Sequence, residues 1–266
     1  VVRLLGQRSD AAGVLAAMAL VFHVFTGNFL TPENLYNIAQ QTAVVGIVAA
    51  AIALIIVARQ IDLSVGSAMG VVGVLIAFLM YTHNWHWVPS CLAGLAVALV
   101  IALYQGWLTA YLGVPSFVVT LGGLMSFRGA AFLVADGKTQ PITDPTFLLF
   151  GGGLDGSLGA TWSWALGGVL AALLLWNTVS RRRNAVAHGF PQRPAWFDLG
   201  VTGFFIFVLL AFVATMNAYV LADKGAGQGI PIPVVIWALV VMGMAFIVNR
   251  TRFGRYVYAI GGNPEA

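Results

Sequence analysis

The chain has 266 residues, of which 60% are hydrophobic and only 8% are charged, and its mean hydropathy is +0.90. A soluble domain carries roughly 25% charged residues, so this composition excludes a soluble globular domain, intrinsic disorder, a coiled coil and a disulfide-rich secreted module. A multi-pass membrane protein with short polar connections remains. The one cysteine, Cys91, cannot form an internal disulfide.

Long apolar runs predict the secondary structure. A helix needs about 20 mostly apolar residues to cross a bilayer, and these runs are continuous and about twice as long as an alternating barrel strand. The predicted fold is therefore all-α, a polytopic transmembrane helical bundle with about eight spans. The predicted spans are Ala11–Leu30, Ile38–Ala58, Leu63–Tyr81, Val88–Leu112, Ser116–Ala135, Thr161–Val179, Leu199–Leu221 and Pro231–Asn249.

Basic residues in the connections predict the orientation. With the N-terminus in the cytoplasm, the inner connections hold ten basic residues and the outer connections hold two, and Arg128 is left within a span. Because Lys and Arg set topology, we predict a cytoplasmic N-terminus and a cytoplasmic connector at Ser180–Asp198. The sequence pI of about 9.5 then reflects membrane orientation. No basic face interleaved with aromatic residues supports nucleic-acid binding.

Polar side chains within the spans are candidates for a solute path or a helix break. A charge inside the membrane costs at least a few kcal/mol, so Arg128 either snorkels to the outer interface or lines a polar path. Asp62 or Ser64 can N-cap the third span, and capping is the favoured interpretation of Asp62 taken alone. The candidates are Gln40, Gln41, Thr42, Asp62, Ser64, Ser67 and Arg128.

The last stretch, Asn249–Ala266 (NRTRFGRYVYAIGGNPEA), differs from the other connections. Its arginines suit an anionic membrane surface. We expect Gly261-Gly262-Asn263 to break the chain and Pro264-Glu265 to begin a short helix on the cytoplasmic surface. Such a helix would dock a soluble partner, and a plain basic stop-transfer loop is the alternative.

Signals for enzyme chemistry are weak. Gly137-Lys138-Thr139 resembles the end of a phosphate loop, but Phe132 stands where that motif needs glycine. His83 and His86 lie among tryptophans with no nearby third metal ligand. Neither a Gly-x-Ser-x-Gly nor a His-Glu-x-x-His motif is present. We therefore expect no catalytic residue, metal or cofactor in this chain.

The chain resembles the membrane permeases of bacterial ATP-binding-cassette importers for monosaccharides, the ribose, xylose and galactose type. IDLSVGS and FGRYVYAIGGNPEA are the most specific motifs, and the two extra spans joined by the basic connector resemble the xylose type. The matching stretches follow the family order and are Asn28–Asn37, Gln40–Gly46, Ile61–Ser67, Pro115–Gly123, Phe127–Gly129, Ile232–Pro233 and Thr251–Glu265.

The resemblance implies a permease subunit in the bacterial inner membrane that translocates a monosaccharide, with D-xylose preferred. It implies a second permease copy, a periplasmic sugar-binding protein and a cytoplasmic ATPase that holds ATP and Mg²⁺, besides membrane lipid. Residues 1–266 would form one permease domain, incomplete at its C-terminus, with the coupling region beginning within 250–266. The residues that match the coupling region are Gly254, Arg255, Gly261, Gly262, Asn263 and Glu265.

Two other functions are consistent with a polytopic chain. An ion-coupled secondary sugar transporter needs an intramembrane acid, for which Asp62 is the candidate. A membrane-embedded enzyme needs a constellation of catalytic side chains, and the motifs above do not supply one.

Overall fold

The computed structural model describes residues 2–188, 194–221 and 225–262, with side chains from Gly13 onward. Within these ranges the regular elements are ten helices, which confirms the all-α prediction. They are α1 (Val2–Thr26), α2 (Pro32–Val57), α3 (Val65–Tyr81), α4 (Trp87–Ala110), α5 (Ser116–Val134), α6 (Pro145–Gly151), α7 (Gly159–Ala187), α8 (Ala195–Ala218), α9 (Ile232–Arg250) and α10 (Arg252–Gly262).

Six of these helices, α2, α4, α5, α7, α8 and α9, are long and apolar enough to cross a membrane. Two shorter apolar helices, Gly13–Thr26 within α1 and Val65–Tyr81, overlap the first and third predicted spans. Each of the eight predicted spans thus overlaps an apolar helix, and six of these helices are long enough to cross a membrane. The chain is a multi-pass helical membrane protein.

One compact unit comprises Val1–Val44 and Gly152–Val235. In this unit α7 and α8 pack against each other as an antiparallel pair. Gly167 permits their close approach, because a Cβ at this position would lie 3.0 Å from Cγ2 of the buried Val213. Small residues at such contacts are the usual means of tight helix packing in membranes.

The second compact unit comprises Val45–Gly151 and Ile236–Ala266. Here α3 packs against both α4 and α5. Gly94 of α4 makes room for Ile76 of α3, since a Cβ would lie 2.6 Å from its Cδ1 atom. The short helix α6 covers Trp87, whose ring centroid lies 5.6 Å from that of Phe150. Helix α6 falls in a loop for which the sequence predicted no helix.

Candidate functional site

The break between α2 and α3 is held by a carboxylate. Asp62 Oδ1 accepts hydrogen bonds from the backbone N–H and the hydroxyl of Ser64, both at 2.7 Å. Ser64 occupies the N-cap position of α3, but its own side chain makes no capping bond to that helix. Ser67 Oγ donates to the Ser64 carbonyl oxygen at 2.8 Å. The side-chain capping predicted for Asp62 or Ser64 is wrong, because Ser64 makes no capping bond and Asp62 binds Ser64 itself rather than N–H groups inside α3.

Ser64 also joins α3 to α4 and α5. It is 1% exposed, and Gln105 Nε2 donates to its Oγ at 2.9 Å. The hydrogen bonds therefore run in one direction, from Gln105 to Ser64 to Asp62. Gly123 of α5 leaves the space that this arrangement needs, because a Cβ there would overlap the Gln105 amide nitrogen. We call Asp62, Ser64, Gln105, Ser116 and Thr120 the polar junction.

The remaining members of the polar junction bind the backbone of the helix break. Ile61 N donates to Ser116 Oγ at 3.2 Å. Thr120 Oγ1 lies 2.8 Å from the Ser116 carbonyl oxygen and 3.2 Å from the Ile61 carbonyl oxygen, so its one proton is shared between them. Side chains of α5 thus reach both backbone groups of Ile61. The sequence did not single out Ser116 or Thr120, although both lie in the PSFVVTLGG stretch.

Gln40 binds the loop that follows α6. Its Nε2 donates to the Gly153 carbonyl oxygen at 3.1 Å, and Gly152, with φ +88°, makes room for the amide. Tyr36 is 1% exposed, and its ring centroid lies 5.2 Å from that of Tyr219. Gln41 and Thr42, the other candidates on this helix, are exposed.

A buried glutamine joins two loop segments that the sequence left unassigned. Gln228 is 3% exposed, and its side chain donates to the Leu154 carbonyl oxygen and accepts from Ser157 Oγ, both at 2.9 Å. Ser163 Oγ accepts from Ile230 N at 2.8 Å. These bonds tie residues 154–163 to residues 228–230, and we call them the Gln228 loop network. A lone Gln in a Gly-rich loop carries no sequence signal for this role.

Arg128 lies apart from the polar junction. It is exposed on α5, eight positions beyond Thr120, which corresponds to about 12 Å along the helix axis. Among the hydrogen bonds of the described residues, none joins Arg128 to Asp62. The structure therefore brings Asp62, Ser64 and Ser67 together and leaves Arg128 outside that group.

A tight corner connects α9 to α10. Thr251 Oγ1 donates to the Ile247 carbonyl oxygen at 2.6 Å and accepts from Gly254 N at 3.3 Å. A Cβ on the buried Gly254 would clash with the backbone oxygen of Val248. Glycine is therefore required at position 254 for α10 to fold back against the end of α9.

The other end of α10 meets the end of α2. A Cβ on Gly261 would clash with the Val57 carbonyl oxygen, and Arg59 Nη2 donates to the Gly262 carbonyl oxygen at 3.5 Å. The break predicted at Gly261-Gly262-Asn263 does not begin at the two glycines, because α10 includes both of them. Glycine costs about 1 kcal/mol in a helix interior, but here its missing side chain permits the contact with α2. Asn263 and Glu265 lie outside the described residues.

The position of α10 follows from its two contacts. It has 11 residues and so is about 16 Å long, much shorter than the roughly 30 Å hydrocarbon core. The ends of α2 and α9 that it connects must therefore lie on the same side of the membrane, and α10 runs along that surface. Gly254 and Val257 are buried, whereas Arg255 and Tyr256 are exposed.

The two histidines considered as metal ligands have structural roles. His86 Nδ1 accepts from Val88 N at 3.3 Å and caps α4, and the His83 ring packs on Phe78 with centroids 5.1 Å apart. Within the part of the chain that the structure describes, no group of three His, Cys, Asp or Glu side chains could hold a metal ion.

Several known proteins are similar in sequence to this chain over nearly its whole length. The chain is 32% identical over 257 residues to the xylose transport system permease protein XylH of Escherichia coli strain K12, covering 96% of this chain and 62% of that protein. It is 31% identical over 261 residues to XylH of Haemophilus influenzae, covering 95% and 66%. It is 26% identical over 262 residues to the ribose import permease protein RbsC of Escherichia coli strain K12, covering 98% and 59%. No solved structure matches the chain.

These relatives are permease components of sugar transport systems, and the chain spans between 59% and 66% of their length. They confirm the resemblance inferred from the motifs. The model of one protein family matches residues 34–266, which include the polar junction and α10. The chain belongs to this family, described as the permease component of the branched-chain amino acid transport system.

Proposed function

We propose that the chain is the membrane-spanning permease subunit of an ATP-binding-cassette importer for a monosaccharide, with xylose as the preferred substrate. The two XylH relatives, at 32% and 31% identity, favour xylose over ribose, for which the relative is 26% identical. The subunit would lie in the bacterial inner membrane with its N-terminus in the cytoplasm. It would be a transport subunit rather than an enzyme, and ATP and Mg²⁺ would bind on a separate ATPase.

The observation that carries this proposal is the placement of α10. This helix bears the motif TRFGRYVYAIGG and contacts the ends of α2 and α9 through glycines whose backbones lie against backbone oxygens. At these contacts backbone lies directly against backbone, so the distance between them can change only if the helices themselves move. A cytoplasmic ATPase that displaces α10 would therefore displace α2 and α9. Arg255 is exposed on α10 and would be accessible to such a partner.

Gly254, Arg255, Gly261 and Gly262 would thus belong to the coupling region, which Asn263 and Glu265 would continue. ATP and the loaded sugar-binding protein must each favour one of two states of the permease, since a ligand with equal affinity for both shifts nothing. The polar junction would hold the helix break in both states. Gln41, Thr42 and Arg128, which are exposed on their helices, would be available to line a path or to face a second permease copy.

Transport in proteoliposomes tests this function. The full-length permease, its ATPase and its sugar-binding protein are reconstituted, and uptake of labelled xylose is measured with and without ATP. We expect uptake that requires ATP and the binding protein and that persists when ionophores collapse the ion gradients. Uptake that stops with the gradient and continues without ATP would refute the importer and favour an ion-coupled carrier.

A further inference from the structure

A cavity of about 280 Å³ lies between α7 and α8, at the end where the connector joins them. None of its lining residues belongs to the polar junction or to α10. Two arginines, an aspartate and two threonines provide its polar groups, and two apolar side chains complete it. The lining residues are Thr178, Arg181, Arg182, Phe197, Asp198, Val201 and Thr202.

The polar wall of this cavity is fixed by bonds between the two helices. Arg182 Nη1 forms an ion pair with Asp198 Oδ2, and both side chains are largely buried. Thr202 Oγ1 donates to the Asp198 carbonyl oxygen at 2.8 Å and lies 2.8 Å from Thr178 Oγ1. Because the Thr202 proton is committed to Asp198, Thr178 is the donor between the two hydroxyls. The ion pair therefore holds Arg182 in the cavity wall.

The charge of the cavity favours an anion. Arg181 and Arg182 together outweigh the one carboxylate of Asp198, which leaves a net positive charge. The Arg181 side chain is exposed, so it can reach a ligand at the mouth of the cavity. Guanidinium groups bind phosphate oxygens through short, charge-assisted hydrogen bonds.

The position of the cavity identifies the source of that anion. Trp176 of α7 and Trp196 of α8 are 72% and 74% exposed and flank the same end of the helix pair. Exposed tryptophans at the ends of membrane helices mark the level of the lipid headgroups. Phe197 and Val201, which also line the cavity, are exposed as well. A lipid at this level could place its phosphate on the arginines and its glycerol backbone against these apolar groups.

We propose that this cavity binds the phosphate of an anionic phospholipid headgroup. Arg181 and Arg182 contact the phosphate oxygens, and Val201 packs against the lipid's apolar part. Basic pockets between membrane helices at this depth are suited to such headgroups. The site depends on the chain lying in a membrane and not on what the chain transports, so failure of the importer proposal would leave it standing.

Native mass spectrometry of the delipidated, detergent-solubilised protein tests this site. Dioleoylphosphatidylglycerol is titrated into the wild type, R181Q and the control R183Q, whose arginine is exposed on the same helix outside the cavity lining. We expect R181Q to weaken binding about five-fold, which corresponds to about 1 kcal/mol for one basic residue at an anionic surface, and R183Q to bind as the wild type does. Equal affinity in R181Q and R183Q would overturn the proposal.

A second pair of variants tests the cavity without changing charge. V201W fills the cavity, and V208W places the same side chain on an exposed position of α8 outside it. We expect only V201W to weaken lipid binding. Two further probes test the ligand class, namely dioleoylphosphatidylcholine and inorganic phosphate. Equal binding of the zwitterionic lipid, or displacement of phosphatidylglycerol by millimolar phosphate, would show that the site does not select an anionic lipid.

Discussion

The contact between α10 and α2 makes a sharp prediction about two adjacent glycines. A Cβ at Gly261 would clash with the Val57 carbonyl oxygen, whereas a Cβ at Gly262 has no atom within 4 Å. Gly261→Ala and Gly262→Ala therefore make the same chemical change at neighbouring positions of one helix. Only the first must separate α10 from the end of α2.

The two substitutions have opposite effects on the stability of the docked α10. Alanine is favoured over glycine in a helix interior by about 1 kcal/mol, so Gly262→Ala should leave α10 unchanged or slightly more stable. Overpacking costs roughly 1–3 kcal/mol, and the upper end applies to Gly261→Ala because a backbone oxygen cannot rotate away. The net loss of about 2 kcal/mol lowers the population of the docked α10 about 30-fold.

Two measurements on the full-length permease check this prediction. Hydrogen exchange should show lost protection in α10 for Gly261→Ala alone, with membrane insertion intact in both variants. In the reconstituted complex, ATP hydrolysis stimulated by xylose and the binding protein should fall with Gly261→Ala and persist with Gly262→Ala. If the two variants exchange and hydrolyse alike, the contact does not couple α10 to the membrane helices.

Three further substitutions test the polar groups. Gly123→Ala should displace the Gln105 amide from the polar junction and lower the free energy of unfolding by about 1 kcal/mol, with Gly122→Ala, which meets no atom within 4 Å, as the unaffected control in thermal unfolding. Asp62→Asn should cost about 1 kcal/mol of stability through weaker hydrogen bonds to Ser64 while ATP-driven uptake persists; loss of uptake in a correctly folded variant would instead assign Asp62 to ion coupling. Gln228→Leu removes the two hydrogen bonds that the buried Gln228 side chain makes to Leu154 and Ser157, so the free energy of unfolding should fall by about 1 kcal/mol, and an unchanged melting temperature would contradict a stabilising role of the Gln228 loop network.

The membrane spans could be predicted from the sequence because they depend on local composition. A continuous apolar run of about 20 residues satisfies its own backbone as a helix, whatever its neighbours. Each of the eight predicted runs overlaps an apolar helix. For Asp62 the sequence indicated a polar role at the start of α3 but not the contact, because the carboxylate binds Ser64 rather than N–H groups inside the helix.

The partners of Gln40, Gln105 and Gln228 could not be predicted. Each binds a group far away in the sequence, at Gly153, Ser64 and Leu154 respectively. A glutamine in an apolar segment shows that a polar partner is needed, but not where that partner lies. The loop containing Gln228 offers no periodic pattern at all.

Gly261 shows most clearly what the local sequence decides and what the tertiary structure decides. By local propensity, two adjacent glycines favour a break in a helix. The sequence by itself determined an all-α membrane chain with a basic, motif-bearing segment after its last predicted span. Only the tertiary structure decided that this segment is a helix lying across the ends of α2 and α9. The reason is steric: the Val57 backbone lies where any side chain at position 261 would have to be.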